Sequence, residues 1–373
     1  MSENDKSTMT RAELHKNDNL AREPKKHHFL RNILIVLILL LIGFGTYAGY
    51  TYFRAKNAVD KTYDSKNAVN VDPGFFDGKN PVSILLLGTD TGKFGRSDEI
   101  SNTDTIIVAT IDAQNKRSAL FSVPRDTMAE MIGTSSFNVQ KINAAYSIGK
   151  AKMAMNTVSA LVNVPLKYYV EVNMAGLEKI VNAVDGVDVQ VPFTFSYGGY
   201  TFTKGPMHLN GAQALAYARM RYDDPENDYG RQKRQRQVIK SIVKNAISLN
   251  TVKNLETILD SFEDNVRTNL TFNNMISIMR NYTSAADNMK SDYLHGTPAF
   301  IGDASYQIMA TTELQRISDL IREQMGLETE TLDNNETYQN EQNTTFDWHS
   351  GVYTQPFTIY SKSNPGVIWD GTN

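Results

Sequence analysis

The chain opens polar, loses every charge between Ile33 and Phe53, and from about residue 82 alternates short β-rich runs with stretches of helical spacing. The uncharged run reads ILIVLILLLIGFGTYAGYTYF. As a helix rising ~1.5 Å per residue it spans about 31 Å, enough to cross a bilayer core. Tyr47, Tyr50, Tyr52 and Phe53 crowd its last part with rings that suit a membrane interface. A cleaved signal peptide has a shorter apolar core, so the pattern predicts an uncleaved anchor.

Beyond it, VSILLL (82–87), TIIVATID (105–112), SALFSV (118–123), YYVEV (168–172) and VDVQV (187–191) read as strands bounded by turn residues. Lys150 to Val162, Met174 to Val184, Gly211 to Ala218, Tyr229 to Leu249 and Thr311 to Met325 space their apolar residues as helices do. Near-continuous apolar strands imply burial on both faces. The expected fold is therefore α/β: a central mixed β-sheet covered by helices on both faces, a three-layer α-β-α arrangement, preceded by one transmembrane helix.

The expected organisation is a cytoplasmic tail (1–31), the transmembrane anchor (32–53), a polar connector (54–80), a catalytic domain (81–327) and a polar C-terminal tail (328–373). The tail at 1–31 carries seven Lys/Arg and five Asp/Glu with few aliphatic residues, a composition that predicts disorder. Residues 328–345 carry five acidic and no basic side chains among many Asn, Gln and Thr, which predicts a linker or mobile tail.

Composition removes several classes of chemistry. The 373 residues contain no cysteine, which excludes disulfides, Cys-ligated zinc or iron–sulfur sites and a thiol nucleophile. The 38 Lys+Arg against 41 Asp+Glu give a net charge of −3; with +2 in the N-terminal tail, the rest carries −5, which disfavours nucleic acid as a partner. Charge does not set the direction of the anchor: Arg22, Lys25, Lys26 and Arg31 on one side match Arg54, Lys56, Lys61 and Lys66 on the other. None of the six His sits in a nucleophile–base context and Ser122 has no visible partner, which argues against a Ser-His-Asp hydrolase.

Three places could carry chemistry. In LLLGTD (85–90) a buried strand ends in a Gly turn and Asp90, and Asp104 opens the next strand fourteen residues on. Ligands gather at strand ends of α/β sheets, and two carboxylates suffice for Mg²⁺, which leaves its other positions to water and phosphate. A turn or cap role for Asp90 is the plainer reading. In SVPRDT (122–127) Pro124 stiffens the backbone beside Arg125, whose planar fork suits a phosphate; Asp126 reads equally as a helix cap or an ion-pair partner. The densest stretch, 209–240, holds seven Lys/Arg and four Asp/Glu. Arg219 and Arg221 share a face if the chain there is extended. Arg231, Arg234 and Gln235 lie near the start of a helix, where free N–H groups and the dipole favour an anion. Together these places suit a polyanion with a divalent metal, such as a pyrophosphate.

At these residues the sequence resembles the LytR-CpsA-Psr family of cell-wall glycopolymer ligases. The resemblance runs from about Val82 to Val243 and rests on LLLGTD, TDTIIV (103–108), FSVPRDT (121–127), KINAAY (141–146), YYVEVN (168–173), VDGVDVQVP (184–192), LNGAQALAYARMR (209–221) and DYGRQKRQ (228–235). It implies a phosphotransferase that moves a glycopolymer, such as teichoic acid or capsular polysaccharide, from an undecaprenyl pyrophosphate carrier to a hydroxyl of peptidoglycan. It further implies Mg²⁺ (or Mn²⁺) on Asp90 and Asp104, and pyrophosphate held by Arg125, Arg219, Arg221, Arg231 and Gln235. Asp228 would orient the arginines, Asp90 and Asp126 stand as candidate bases, and the polyprenyl chain would lie in an apolar tunnel. The expected partners are this lipid-linked polymer, peptidoglycan and membrane lipid, with the catalytic domain extracellular and the N-terminus cytoplasmic. The family commonly carries Arg two residues before the equivalent of Asp104; here stands Asn102, and Arg96 earlier in the loop either replaces it or leaves the site one guanidinium short. A hydrolase of the same carrier and a non-catalytic wall-precursor sensor or regulator are the alternatives.

Overall fold

In the computed structural model the apolar runs hydrogen-bond into one six-stranded mixed sheet. From Val82 on the elements in chain order are β1 (Val82–Thr89), β2 (Thr103–Asp112), β3 (Arg117–Ser122), β4 (Met128–Glu130), β5 (Val139–Lys141), α1 (Ala144–Val162), β6 (Tyr168–Val172), α2 (Met174–Ala183), β7 (Val187–Val191), β8 (Phe195–Tyr197), β9 (Tyr200–Phe202), β10 (Gly205–Leu209), α3 (Gly211–Arg219), α4 (Asn227–Ser248), β11 (Val266–Thr268), α5 (Phe272–Asn281), β12 (Met289–Tyr293), β13 (Gly296–Ile301), β14 (Ala304–Met309), α6 (Thr311–Gln324) and α7 (Asn335–Gln342). The structure describes residues 49–369, apart from 92–101, 249–264, 352–354, 362–365 and positions 51, 55, 59, 71 and 73. Arg96, the N-terminal tail and most of the apolar run Ile33–Phe53 thus lie outside the described residues. Among the described residues no helix is long and apolar enough to cross a membrane. The sheet and its helices belong to the compact unit Ala55–Asn373.

The sheet order is β11-β6-β1-β2-β3-β12. β1 runs antiparallel to β2 and parallel to β6, and β3 runs antiparallel to β2 and parallel to β12. Side chains alternate across the pleat. Leu85, Leu87, Ile106, Val108, Ala119 and Phe121 face one way, into a core shared with α1 (Val158, Leu161) and α6 (Leu314, Ile317, Ile321). On the other face Ile84 and Tyr168 meet Leu270 and α5 (Met275, Ile278), while Ile107, Ala109 and Leu120 meet Ile239 of α4. Helices thus cover both faces, which is why the central strands carry no polar alternation.

VDVQV behaves differently. It leaves the central sheet and pairs with β10 in a two-stranded ribbon, with Asp188 and Gln190 exposed and the three valines buried against α3 and α4. α1 starts earlier than its apolar spacing predicts and is interrupted at Gly149 and Lys150. A Cβ on Gly149 would meet Met153 Cβ at 2.6 Å, so only glycine lets the chain turn there.

Parts of the connector and of the polar C-terminal stretch pack onto this body. Phe76 is buried beside Tyr168, and Tyr169 donates its hydroxyl to Asp64 at 2.8 Å. The stretch at 328–345 departs from the expectation of a linker or mobile tail: its amides are partners for backbone. Gln339, fully buried on α7, accepts from Tyr360 N and donates to Tyr360 O, both at 2.8 Å. Asn343 does the same for Thr358, at 3.0 and 2.8 Å, like rungs of a ladder made from side chains. Phe346, Phe357 and Ile359 are buried against β13 and β14. Gln339→Ala would strand two backbone groups of Tyr360 and is expected to cost about 1–3 kcal/mol. A denaturant midpoint equal to the parent's would show the clamp to be idle.

Candidate active site

The pairings of the sheet bring the C-terminal ends of β6, β1, β3 and β12 and the start of β2 to one edge. Thr89, last in β1, pairs with Thr103, first in β2, so Asp90 and Asp104 occupy neighbouring strand ends. The side chains of Thr89 and Thr91, the buried neighbours of Asp90 in sequence, hydrogen-bond to each other at 3.1 Å.

Past β3, the loop 124–127 is fixed by its own backbone. Thr127 N and Oγ1 both donate to Pro124 O, Asn143 N to Arg125 O at 3.2 Å, and Gln307 N to Asp126 O at 2.9 Å. Pro124 has no N–H to satisfy there. The loop so held aims Arg125 at Asp104, with which it forms a hydrogen-bonded ion pair. Asp126 lies 3.0 Å from Lys141 Nζ and 3.7 Å from Arg125 Nε.

The other wall comes from α4. Asp228 sits in its first turn, where the dipole favours a carboxylate. It lies 2.8 Å from Arg231 Nη2 and 3.8 Å from Arg221 Nε, and Gln232 Nε2 donates to it at 2.9 Å. Arg231, only 5% exposed, also donates to Asp104 O at 3.1 Å, which ties α4 to β2. Met220 takes extended backbone after α3 and is fully buried, leaving Arg219 and Arg221 half-buried on either side of it. Gln235 donates toward Ala218 O at 3.5 Å, at the end of α3. The structure thus gathers Asp104, Arg125, Asp126, Arg221, Asp228 and Arg231 into one cluster with Asp90 at the adjoining strand end.

The electrostatics of the two central arginines differ. Burial opposes the charge of Arg125, but Asp104, Asp126 and Asp228 more than offset it and hold its pKa above the usual value. Burial pulls Arg231 below the ordinary guanidinium range, with Arg125 and Arg221 adding repulsion against the support of Asp228 and Asp104. Arg125 Nε, Arg231 Nε and Gln232 Oε1 are buried with no hydrogen-bond partner. The two guanidinium N–H groups are buried donors, costly unless a ligand takes them up, and an anion beside Arg231 removes the repulsion as well.

Arg234 stands apart from this cluster. Its guanidinium, 1% exposed, pairs with Asp224 and donates to Tyr217 O and Met220 O, so it locks the turn between α3 and α4. Arg236 was not singled out by the sequence, yet its Nη1 donates to Ser122 Oγ at 2.7 Å and its guanidinium lies over the Tyr293 ring. Gln232 and Lys141 were likewise missed. Gln232 was legible as one turn from Asp228, and Lys141 opens the KINAAY motif.

Among the described residues no group of three or more His, Asp or Glu side chains could hold a metal ion. Mg²⁺ asks less of a protein, one or two carboxylates with water and phosphate completing its shell. The hard oxygen donors of Asp90 and Asp104 at adjacent strand ends fit that requirement.

The family model LytR_cpsA_psr matches residues 46–323. A curated relative from Enterococcus faecalis, the polyisoprenyl-teichoic acid–peptidoglycan teichoic acid transferase TagU, is 42% identical over 294 residues, 79% of this chain and 95% of the relative. The crystal structure of Bacillus subtilis TagU superposes with a TM-score of 0.53 at 35% identity, covering 66% of this chain and 97% of that one. A structure of TagT bound to LIIa-WTA gives 0.58 at 25% identity, covering 70% and 96%.

Proposed function

This chain belongs to the LytR-CpsA-Psr family, and from that premise we propose that it transfers a glycopolymer of the teichoic acid kind from a polyprenyl pyrophosphate carrier to a hydroxyl of peptidoglycan. The observation that carries this reading is the strand-end cluster: Arg125 and Arg231, each with a buried, unpartnered Nε, converge with the half-buried Arg221 on a place framed by Asp104 and Asp228. Such a place neutralises the oxygens of a pyrophosphate and the charge that develops on them.

In the reaction the acceptor hydroxyl oxygen attacks the phosphorus that bears the glycan. The bond from that phosphorus to the bridging oxygen breaks, polyprenyl phosphate leaves, and a glycan phosphodiester forms. The hydroxyl proton passes to a base, for which Asp90 and Asp126 are the candidates. Arg231 and Arg125 bind the equatorial oxygens, with Arg219, Arg221 and Gln235 completing the cradle, and Asp228 orients Arg221 and Arg231. Asp90 and Asp104 would hold Mg²⁺, or Mn²⁺ in its place, which supplies positive charge next to the leaving phosphate.

The polyprenyl chain needs an apolar bed. Leu86, Ile239 and Met289 are only partly buried around Ile107 and Leu120 on the α4 face of the sheet, and Val170 is half-buried beside them on β6. The uncharged run Ile33–Phe53 anchors the chain in this reading, with the N-terminus cytoplasmic and the catalytic domain outside the cell, so that the lipid is reached from its own bilayer.

The test is reconstitution of the full chain with a synthetic lipid pyrophosphate saccharide, Mg²⁺ and a peptidoglycan oligomer, followed by mass spectrometry. A ligated phosphodiester is expected only when the acceptor is present. Free glycan phosphate formed at the same rate without acceptor would indicate a hydrolase, and bound donor without turnover a sensor. Chelation with EDTA is expected to lower the rate at least tenfold, with recovery on adding Mg²⁺ or Mn²⁺. A rate indifferent to chelation would remove the metal from Asp90 and Asp104.

A further inference from the structure

The edge that carries the cluster continues past Arg125. β12 lies beside β3 with Tyr293 opposite Ser122, and two residues on, His295 follows on the same edge. Asp90, Asp104, Arg125 and the Tyr293–His295 end therefore succeed one another along the strand ends, with β2 and β12 two strand spacings, roughly 10 Å, apart. Three rings gather at this end. Tyr293 lies 4.1 Å from His295 and 5.2 Å from Tyr229, centroid to centroid. Tyr229 follows Asp228 directly in the first turn of α4, so the shelf and the anion cluster share one helix start.

The rings are held rather than loosely exposed. The Tyr229 hydroxyl accepts from Gly296 N at 2.8 Å and donates to Gln307 Oε1 at 3.2 Å. The Arg236 guanidinium lies over Tyr293, 5.1 Å from its centroid. His295 N donates to Glu313 at 2.9 Å, and its ring is exposed on top of Tyr293. Beside it Arg316, partly exposed, is fixed by Asp292 and Glu313 and keeps hydrogen-bonding groups in place at the rim of the rings.

An exposed ring on a fixed aromatic base, rimmed by oriented charged groups, matches a pyranose. The C–H face of the sugar is apolar and faintly positive and meets the negative face of a ring, while its equatorial hydroxyls need polar partners at the rim. We propose that the Tyr229–Tyr293–His295 shelf seats the acceptor saccharide, a β-1,4-linked N-acetylhexosamine strand, with one hydroxyl directed toward the Arg125 side of the cluster. This rests on the transferase reading above and adds to it the place of the second substrate.

The test uses the full chain and two variants, His295→Ala at the exposed ring and Tyr293→Leu beneath it. In the reconstituted reaction each is expected to raise the acceptor KM about tenfold while the donor KM moves less than twofold. A fold defect would move both constants. Independently of turnover, a β-1,4-linked N-acetylglucosamine tetrasaccharide is titrated into the parent protein with NMR detection, with maltotetraose as the control. The His295 ring resonances are expected to shift with the first sugar and not the second, and the binding to weaken about tenfold in Tyr293→Leu. Unaltered acceptor KM and unaltered tetrasaccharide binding in both variants would overturn the shelf and leave the transferase intact. Sugar binding at His295 by a protein that ligates nothing would retain the shelf and remove the transferase. Absence of both removes both.

Discussion

Arg231→Ala is expected to slow ligation about 10³-fold at saturating donor, the scale seen when one preorganised donor or arginine is taken from a phosphoryl-transfer or oxyanion site. The size follows from position. Arg231 is 5% exposed, bonded to Asp104 O and paired with Asp228, so its guanidinium cannot relax into water and meets an anion already oriented. In such a setting charge-assisted hydrogen bonds to phosphoryl oxygens gain strength because little solvent competes. Repulsion from Arg125 and Arg221 stores part of the driving force for anion entry. Arg231→Lys is expected to recover less than a tenth of the lost rate, since an ammonium cannot serve two oxygens with a planar fork. Binding can be read apart from catalysis: inorganic pyrophosphate should raise the melting temperature of the parent and leave that of Arg231→Ala nearly unmoved. A folded Arg231→Ala protein working within tenfold of the parent would take this residue out of the site.

The parts of this site that lie on or next to apolar strands were readable from sequence, because a buried strand leaves its polar neighbour few places to go. Asp90, Asp104 and Arg125 are of this kind. Residues on α4 were less so. Arg231 and Arg234 are both basic, three apart and near the helix start, and only the surrounding chain separates them: Asp104 O receives the first, while Asp224 and the carbonyls at the end of α3 receive the second. β12 was missed because MKSDY is polar, as an edge strand tends to be, and it is the strand that delivers Tyr293. The hairpin of β13 and β14 was missed as well, although Gly302 and Asp303 mark its turn, and through Gln307 it supports both Asp126 and Tyr229. The V-D-V-Q-V alternation already said that β7 has one wet face, which rules it out of a sheet covered on both sides. Amide-rich composition at 328–345 misled for a different reason: Asn and Gln are as able to pair with a neighbouring backbone as with water, and composition does not distinguish the two.

Asp224→Ala is expected to destabilise the fold by about 3–5 kcal/mol, the cost of leaving a buried charge without its partner. Arg234 and Asp224 are 1% and 4% exposed, and the guanidinium lies over Phe195 and Tyr217, 5.5 and 5.8 Å from their centroids. Among the described residues Asp224 is the carboxylate that pairs with that cation, and Glu226 N loses its acceptor in the same step. The pair also explains Gly230: a Cβ there would stand 2.0 Å from Asp224 Oδ2, so Gly230→Ala should push the carboxylate off Arg234 and destabilise to a similar extent. Replacing both charges, in Asp224→Ala/Arg234→Met, is expected to recover part of the loss but not all. The carbonyls of Tyr217 and Met220 then lack the donors that Arg234 gave them. The measurement is the urea midpoint, with an unchanged slope showing that the native state and not the unfolded chain was altered. A loss under 1 kcal/mol for Asp224→Ala would mean that water enters to solvate Arg234. The turn from Met220 to Asp228 would then owe its shape to something other than this pair, and with it the placement of Arg221 and Asp228 in the strand-end cluster.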